Sequence, residues 1–191
     1  MMFERYRDSF PQLADKWDEY IGCYHRMEVP AKTVLLREGD VSQRAFVIEK
    51  GCLRVWVNKN GKDITFQFFF ENEGLSSAES FRKNVPSIFT IESVEPCVLH
   101  WISKDDLMRI MGETMQIPEL RDQLVNSMFE RQLHYMKHFL SFITETPRER
   151  YLKLVEEKPH IILRVPQQYI ASYLGITPVS LSRIRNKVHT S

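Results

Sequence analysis

Residues 166–187 read PQQYIASYLGITPVSLSRIRNK, and this stretch decides the fold of the C-terminal part of the chain. Ile170, Ala171 and Leu174 recur at helical spacing and form one apolar stripe. Such a stripe is typical of a helix that buries one side against a core. The stretch therefore predicts a helix over residues 167–174.

A turn and a second helix follow directly. Gly175 stands where the first helix has to end, because glycine enters the left-handed cap conformation at little cost. Thr177 can cap the next helix through its hydroxyl, and Pro178 suits the first helical position. Leu181 and Ile184 would then face the core. This order of helix, glycine turn and helix predicts a helix-turn-helix.

The outward side of the second helix is polar and basic, which is the kind of surface that the major groove of duplex DNA accepts. An ordinary surface pair of helices is the alternative. Against it, Ala171 allows a close helix crossing, and the outward basic residues lie only on the second helix. We therefore predict contacts with double-stranded DNA from Gln167, Gln168, Thr177, Val179, Ser180, Ser182, Arg183, Arg185 and Lys187.

Charge is distributed unevenly along a chain whose net charge is only +1. Residues 144–191 carry eight Lys or Arg against four Asp or Glu, a net charge of +4, and residues 1–143 carry a net charge of −3. The basic end is thus the helix-turn-helix end, as expected of a surface that faces phosphates.

Composition and cysteine usage bound the class of protein. The 191 residues are 43% hydrophobic and 27% charged, which is ordinary for a folded globular protein. Cys23, Cys52 and Cys97 are far apart and odd in number, which indicates a reducing cytoplasm and no iron–sulfur cluster. No apolar stretch is long enough for a membrane span, and the first residues do not resemble a signal peptide. We expect a cytoplasmic chain without a membrane partner.

Between residues 27 and 102, short apolar runs alternate with turns, one of which contains the hairpin signal Asn60-Gly61. Many short strands at this spacing predict a closed or rolled β structure. The predicted strands cover residues 33–36, 45–49, 52–57, 64–70, 88–94 and 97–102.

The longest periodic stretch begins at Pro118 and predicts a helix over residues 118–143. Apolar residues occupy two sides of this helix, so two sides need a cover. The β structure can cover one side, and a second copy of the helix in a two-fold dimer can cover the other. Burial within one subunit is the alternative. The predicted dimer interface consists of Val125, Phe129, Leu133, Met136 and Leu140.

Other residues that could carry chemistry form no recognisable site. His134 and His138 lie one helical turn apart, as metal ligands can, but no third ligand is evident nearby. His100 could suggest a haem sensor, although a single histidine on a strand is more often structural. We find no nucleophile–base pair, phosphate loop or suitably spaced carboxylate pair. The sequence predicts neither an enzyme nor a metal site.

The order of the segments resembles the Crp/Fnr family of bacterial transcription regulators over nearly the whole chain. The residues that carry the resemblance are LREGD at 36–40, FVIEKGCLR at 46–54, Gln168, Ile170, Ala171, LGIT at 174–177 and SRI at 182–184. The resemblance implies a homodimer acting on DNA, with RNA polymerase as a further partner.

The implied fold class is α+β, in three domains. Residues 1–117 would form a cyclic-nucleotide-binding-like double-stranded β-roll that acts as a sensor. Residues 118–143 would form the dimerisation helix. Residues 144–191 would form an all-α helix-turn-helix domain, because the sequence Thr-Glu-Thr-Pro at 144–147 breaks the long helix.

The chain departs from the family at the nucleotide pocket. There the family uses a Gly-Glu pair, followed by an Arg-Ser pair whose arginine binds the cyclic phosphate. Glu79 can stand for the family's glutamate, but Ser87 falls where the Arg-Ser pair belongs. We therefore predict a degenerate pocket, no cofactor and no response to cAMP. The candidates for a different effector pocket are Glu79, Ser80, Arg82 and Ser87.

Two further departures concern the DNA module. A β-hairpin wing follows the second helix in much of the family, whereas this sequence stops at Ser191, so we expect no wing. Pro178 and Val179 open the helix where some members place charged base-readers, while Arg183 matches a frequent arginine that can bind guanine bidentately. The leading hypothesis is a homodimeric transcription regulator that reads near-palindromic operators. The alternative is a ligand-sensing or protein-interaction module with weak or vestigial DNA binding.

Overall fold

The computed structural model describes residues 2–189, apart from the side chains of residues 2, 5, 188 and 189. Two short 3-10 helices, Met2–Ser9 and Pro11–Lys16, come first. The strands are β1 (His25–Val29), β2 (Val34–Leu36), β3 (Arg44–Lys50), β4 (Leu53–Lys59), β5 (Lys62–Phe69), β6 (Gly74–Leu75), β7 (Thr90–Ser93) and β8 (Cys97–Ser103).

These strands form two four-stranded sheets, in the orders β1–β8–β3–β6 and β2–β7–β4–β5. β8 is central in the first sheet, where it pairs antiparallel with β1 and β3, so that Leu99 lies opposite both Met27 and Ile48. Ile48, Leu53, Ile91 and Leu99 are completely enclosed. The predicted rolled β structure is confirmed, although β1 and β6 were not among the predicted strands.

Eight α-helices accompany the strands within the described residues. α4 matches the predicted helix 118–143 to within one residue. The helices are α1 (Trp17–Gly22), α2 (Ala78–Lys83), α3 (Lys104–Thr114), α4 (Pro118–Thr144), α5 (Pro147–Glu157), α6 (Pro159–Arg164), α7 (Gln167–Tyr173) and α8 (Pro178–His189).

Local capping explains where two of these helices begin. The Ser103 hydroxyl accepts a hydrogen bond from the backbone N–H of Asp106 at 3.1 Å and starts α3. At α5, Thr146 and Glu149 form a reciprocal capping box ahead of the predicted first helical residue Pro147. Each cap satisfies backbone N–H groups that a helix N-terminus leaves without partners.

Packing divides the chain into two compact units. The first contains the described residues up to Arg54 together with Phe68–Leu124. The second contains the hairpin residues Val55–Gln67 and the described residues from Val125 onward. The domain boundaries at residues 117 and 143 remain a prediction, because this division follows packing and takes a hairpin from the middle of the β region.

The described helices and the end of the chain bear on two further predictions from the sequence. No helix among the described residues has both the length and the apolar content that a membrane span requires. The predicted absence of a wing concerns the end of the chain, where residues 190 and 191 lie outside the described residues.

Candidate nucleic-acid interface and effector pocket

The turn between α7 and α8 has the geometry that the sequence predicts. Gly175 has a φ of +71°, in the left-handed region that favours glycine. The N–H of Ile176 donates to the Ala171 carbonyl at 3.0 Å, which closes the C-terminus of α7. The N–H of Ser180 donates to the Thr177 hydroxyl at 3.1 Å, which caps the start of α8. Both helix ends at the turn are therefore satisfied within the motif.

Small and branched apolar residues hold the two helices together. Ala171 and Leu181 are completely buried, and Ile170 and Leu174 are nearly so. The predicted apolar stripe of α7 is thus the packed side of that helix. Leu181 fixes which side of α8 faces inward, and Ile184 is half-buried on the same side.

The opposite side of α8 is an exposed stripe, which we call the outer stripe. Its members recur at i, i+3, i+4, i+7 and i+8, so they lie on one face of the helix. The outer stripe consists of Val179, Ser182, Arg183, Asn186 and Lys187, all exposed. Asn186 was not predicted, although its spacing from Ser182 and Arg183 was enough to find it.

The remaining predicted DNA contacts occupy different places. Gln167 and Gln168 are exposed in the first turn of α7. The Thr177 and Ser180 hydroxyls lie 3.0 Å apart and belong to the cap of α8. Arg185 is half-buried, beside the outer stripe. The structure thus brings Ser182, Arg183 and Lys187 into one stripe with Val179, whereas Thr177 and Ser180 have a structural task.

A side-chain bridge ties α7 to the hairpin of β4 and β5 within the second unit. The Ser172 hydroxyl donates to the Asp63 carbonyl at 2.9 Å and accepts from the Thr65 N–H, also at 2.9 Å. One hydroxyl therefore satisfies a donor and an acceptor of β5, as a neighbouring strand would. The sequence gives no signal for this contact, because the partners are more than 100 residues apart.

The candidates for an effector pocket fall into two groups. Ser80 and Ser87 are buried, whereas Glu79 and Arg82 are exposed on α2. The Ser80 hydroxyl accepts from the Ser42 N–H at 2.8 Å. Glu79 pairs with Lys83 at 2.9 Å along the outer side of the helix. The structure therefore does not bring the four candidates to one point.

Ser87 is held firmly at the position where the family resemblance would place the phosphate-binding pair. It is 3% exposed. Its backbone N–H donates to the Asp40 carbonyl and its carbonyl accepts from the Gly39 N–H, both at 2.8 Å. Its hydroxyl donates to the Phe89 carbonyl at 2.7 Å and lies 3.0 Å from the Ser77 hydroxyl. The side chain is small, neutral and already hydrogen-bonded.

The apolar residues of α4 form a wide exposed face. Val125, Phe129, Leu133, Met136 and Leu140 are between 39% and 64% exposed. Met128, Phe139 and Ile143 extend this face and are exposed to a similar degree. Within the isolated chain these side chains leave an apolar surface that a partner could cover.

One buried ion pair was missed by the sequence reasoning. Arg54 on β4 lies 3.2 Å from Glu92 on β7, and the two side chains are only 3% and 8% exposed. A burial pattern explains the omission: Leu53, Arg54 and Val55 are all buried, so β4 does not alternate between an inner and an outer side there. Alternation alone would have placed Arg54 in solvent.

The histidines weighed as metal or haem ligands have other surroundings. His100 Nε2 is hydrogen-bonded to Glu49 at 2.5 Å. His134 and His138 lie on the same side of α4 and line a cavity together with three lysines and Arg150. Among the described residues, no group of three or more His, Cys, Asp or Glu side chains is arranged to hold a metal ion.

Comparison with known proteins places the fold. Residues 26–114 match the family model of the cyclic nucleotide-binding domain. The chain matches the c-di-GMP-responsive global regulator CLP of Xanthomonas campestris with a TM-score of 0.71, covering 93% of this chain and 92% of that one at 14% identity. The chain has the fold of the Crp/Fnr regulators.

Two further structures agree with this assignment. FixK2 of Bradyrhizobium japonicum matches with a TM-score of 0.74 at 15% identity, over 87% of this chain and 85% of that one. A CooA variant of Carboxydothermus hydrogenoformans matches with a TM-score of 0.69 at 14% identity, over 90% of this chain and 79% of that one. No curated protein matches by sequence. The resemblance predicted from the motifs is therefore confirmed as a shared fold with a cyclic nucleotide-binding domain.

Proposed function

We propose that this chain is a DNA-binding transcription regulator that acts as a homodimer on near-palindromic operators. The observation that carries the proposal is the outer stripe of α8, where Arg183, Asn186 and Lys187 project from a helix whose other side is anchored by Leu181. A bacterial cytoplasm is the compartment that goes with this function, and RNA polymerase is the further partner that the family resemblance implies.

The chemistry of the outer stripe suits the major groove. An arginine binds the O6 and N7 atoms of guanine bidentately, and an asparagine does the same with N6 and N7 of adenine. Arg183 and Asn186 are therefore assigned to bases. Lys187 lies one turn beyond Arg183, towards the end of the helix, and is assigned to a phosphate. Val179 offers only an apolar contact, which suits a thymine methyl group.

The homodimer rests on the exposed face of α4. A soluble monomer rarely leaves so many large apolar side chains exposed along one helix, and an identical helix related by a two-fold axis can cover them. Two α8 helices related by that axis would enter successive major grooves about 34 Å apart. The operator should then be a near-palindrome, because the symmetry of the site follows that of the protein.

The effector is proposed not to be cAMP. The family match covers the β-roll, but Ser87 has no positive charge with which to hold a cyclic phosphate, and its hydroxyl is already hydrogen-bonded. Arg82, the nearest alternative on α2, is exposed. A calorimetric titration with cAMP should show no binding at sub-millimolar concentration. Sub-millimolar affinity would contradict this part of the proposal and would indicate Arg82 as the residue that holds the cyclic phosphate.

The test of DNA binding is its salt dependence. Each phosphate that the protein neutralises releases counterions, so the logarithm of the binding constant should fall linearly with the logarithm of salt concentration, by about 0.9 per phosphate. Fluorescence anisotropy on a labelled duplex measures this slope. Lys104→Ala on α3 of the first unit is the control, and its slope should equal that of the wild type. A flat wild-type slope would favour the ligand-sensing or protein-interaction module instead.

A further inference from the structure

A cavity of about 510 Å³ lies within the second unit. α4 contributes one wall, α5 the second and the end of α7 the third. The α4 residues that line it include His134, His138 and Ser141, which lie on the side of the helix away from Leu133 and Met136 because a helix turns once in about 3.6 residues. A partner helix packed on the exposed face would leave this cavity open.

The lining is rich in positive charge. Lys137, Arg150, Lys153 and Lys158 face the cavity, against two carboxylates, Glu145 and Glu157. Lys153 is paired with Glu145 at 3.2 Å. Lys137 is exposed and makes no ion pair or hydrogen bond within the part of the chain that the structure describes. The cavity therefore has an excess of two positive charges, apart from its histidines.

Arg150 supplies an incompletely satisfied donor. Its two terminal nitrogens donate to the carbonyls of Glu145 and Leu174, at 2.6 and 2.9 Å. Its guanidinium lies 4.7 Å from the centre of the Phe142 ring. Its Nε is buried without a hydrogen-bond partner among the described residues. Oε2 of Glu145, in the same lining, is likewise buried without a hydrogen-bond partner, so a donor and an acceptor beside the cavity are both unsatisfied among the described residues.

The side chain of His138 lies beside the same positive charges, which affect its pKa. Its ring stacks on Tyr173 with centroids 4.8 Å apart and meets Phe142 edge-on at 5.1 Å. Burial lowers the pKa of His138 to about 4, and the neighbouring His134, Lys158 and Arg150 add to the effect. Burial and then Glu157 raise the pKa of Tyr173 to about 12, so its hydroxyl remains a donor. An anion in the cavity would oppose the positive charges around His138.

We propose that this cavity is a binding site for a small phosphate-bearing anion, held by Lys137, Arg150 and Lys153. A phosphate group offers several acceptor oxygens to these donors and neutralises charges that otherwise repel one another. The volume is in the range of small-molecule sites. The lining shares no residue with the outer stripe of α8 or with the effector candidates Ser80 and Ser87, and the proposal does not depend on DNA binding.

The test uses inorganic pyrophosphate as the probe and His138 as the reporter. Heteronuclear NMR of the full chain follows its six histidines from neutral pH down to about pH 5, with and without pyrophosphate at constant ionic strength. A His138→Gln spectrum assigns the signal. Without the probe, the ring should remain neutral. With it, the pKa of His138 should rise by about one to three units, as a nearby opposite charge produces.

Matched variants locate the binding. A Lys137→Gln/Lys153→Gln double variant removes two charges from the cavity, and a Lys59→Gln/Lys62→Gln variant removes two from the exposed hairpin. The cavity variant should bind pyrophosphate at least about tenfold more weakly than the wild type. The hairpin variant should bind it with the same affinity as the wild type. An unshifted His138 in the wild type, or equal affinity in both variants, would overturn the proposal. Binding at the DNA surface alone would leave His138 unshifted and count against it.

Discussion

At the scale of single residues, Gly175 fixes how α7 leads into α8. Its positive φ suits glycine, and a Cβ added there would lie 2.9 Å from the Phe142 ring. The positive φ follows from the tight turn, whereas the short distance to Phe142 follows from the packing of α7 next to α4. The sequence predicted the need for glycine, but not the Phe142 contact, because that contact depends on how the helices pack.

Replacing Gly175 with alanine should destabilise the protein by about 1–2 kcal/mol, since an L-residue pays that cost in the left-handed region, and displacing Phe142 should add to it. Thermal unfolding followed by circular dichroism measures the change. Gly112→Ala is the matched control. Gly112 lies in α3 with open space around its Cβ position, so alanine should stabilise the protein by about 0.5–1 kcal/mol. Equal stability of the two variants would contradict this account of the turn.

The buried pair of Arg54 and Glu92 gives a second test. Glu92→Ala leaves an uncompensated buried arginine and should cost about 3–5 kcal/mol in the free energy of unfolding, measured in urea. Removing both charges with Arg54→Met/Glu92→Leu should recover most of that loss, because a buried ion pair is often no better than a packed apolar pair. A single variant as stable as the wild type would show that water reaches this pair.

Arg183 and Lys187 separate base reading from phosphate binding. Arg183→Ala should cost about 1–3 kcal/mol in binding free energy and relax the preference at one base pair in each half-site. Lys187→Ala should weaken binding to all sequences alike and reduce the salt slope by about one. Anisotropy titrations on single-base operator variants measure both effects. If the Arg183→Ala variant still discriminates fully between operator sequences, specificity comes from Asn186, Gln167, Gln168 or the shape of the DNA instead.

At the scale of elements, α4 has two sides with different surroundings. One carries the exposed apolar face, and the other lines the charged cavity. The apolar face is where a second subunit should pack. The sequence could indicate that two sides needed covering, because the apolar periodicity is visible in it. The charged lining of the cavity was not predicted, since it assembles residues from three helices.

Leu133→Glu should convert a dimer into monomers at micromolar protein concentration, because it places an unpaired charge in an apolar interface. Light scattering measures the mass. Ser127→Glu is the matched control, since it adds the same charge to the opposite side of α4 and should leave the dimer intact. A wild-type monomer at the same concentration would contradict the dimer itself.

Short elements were the least predictable from sequence. α2 has six residues and no side-chain cap. It forms because Phe81 packs with Ala45 and Ile102, a contact between distant parts of the chain. α6 begins at Pro159 and has six residues, which are too few for a readable periodicity. The longer strands and α4 were predictable because their periodicity is long enough to read.

At the scale of the whole molecule, the fold tolerates very different sequences. Structures only 14–15% identical to this chain share its fold over most of its length. In this chain, patterns of apolar residues and glycines predict the longer strands, the long helix α4 and the turn between α7 and α8. The chemistry of each site depends on single residues, such as the small, neutral and buried Ser87. The fold could therefore be predicted from the sequence, whereas the effector could not.

Selection of bound sequences from a pool of randomised DNA duplexes tests the central proposal most directly. A homodimer with one α8 helix in each half-site should enrich a near-palindrome whose half-site centres lie about 10–10.5 base pairs apart, or a multiple of that distance. The enriched duplex should bind wild-type protein more tightly than its scrambled counterpart at equal salt. A pool that remains random, or a single half-site with no inverted partner, would contradict the proposal of a dimeric, sequence-reading regulator.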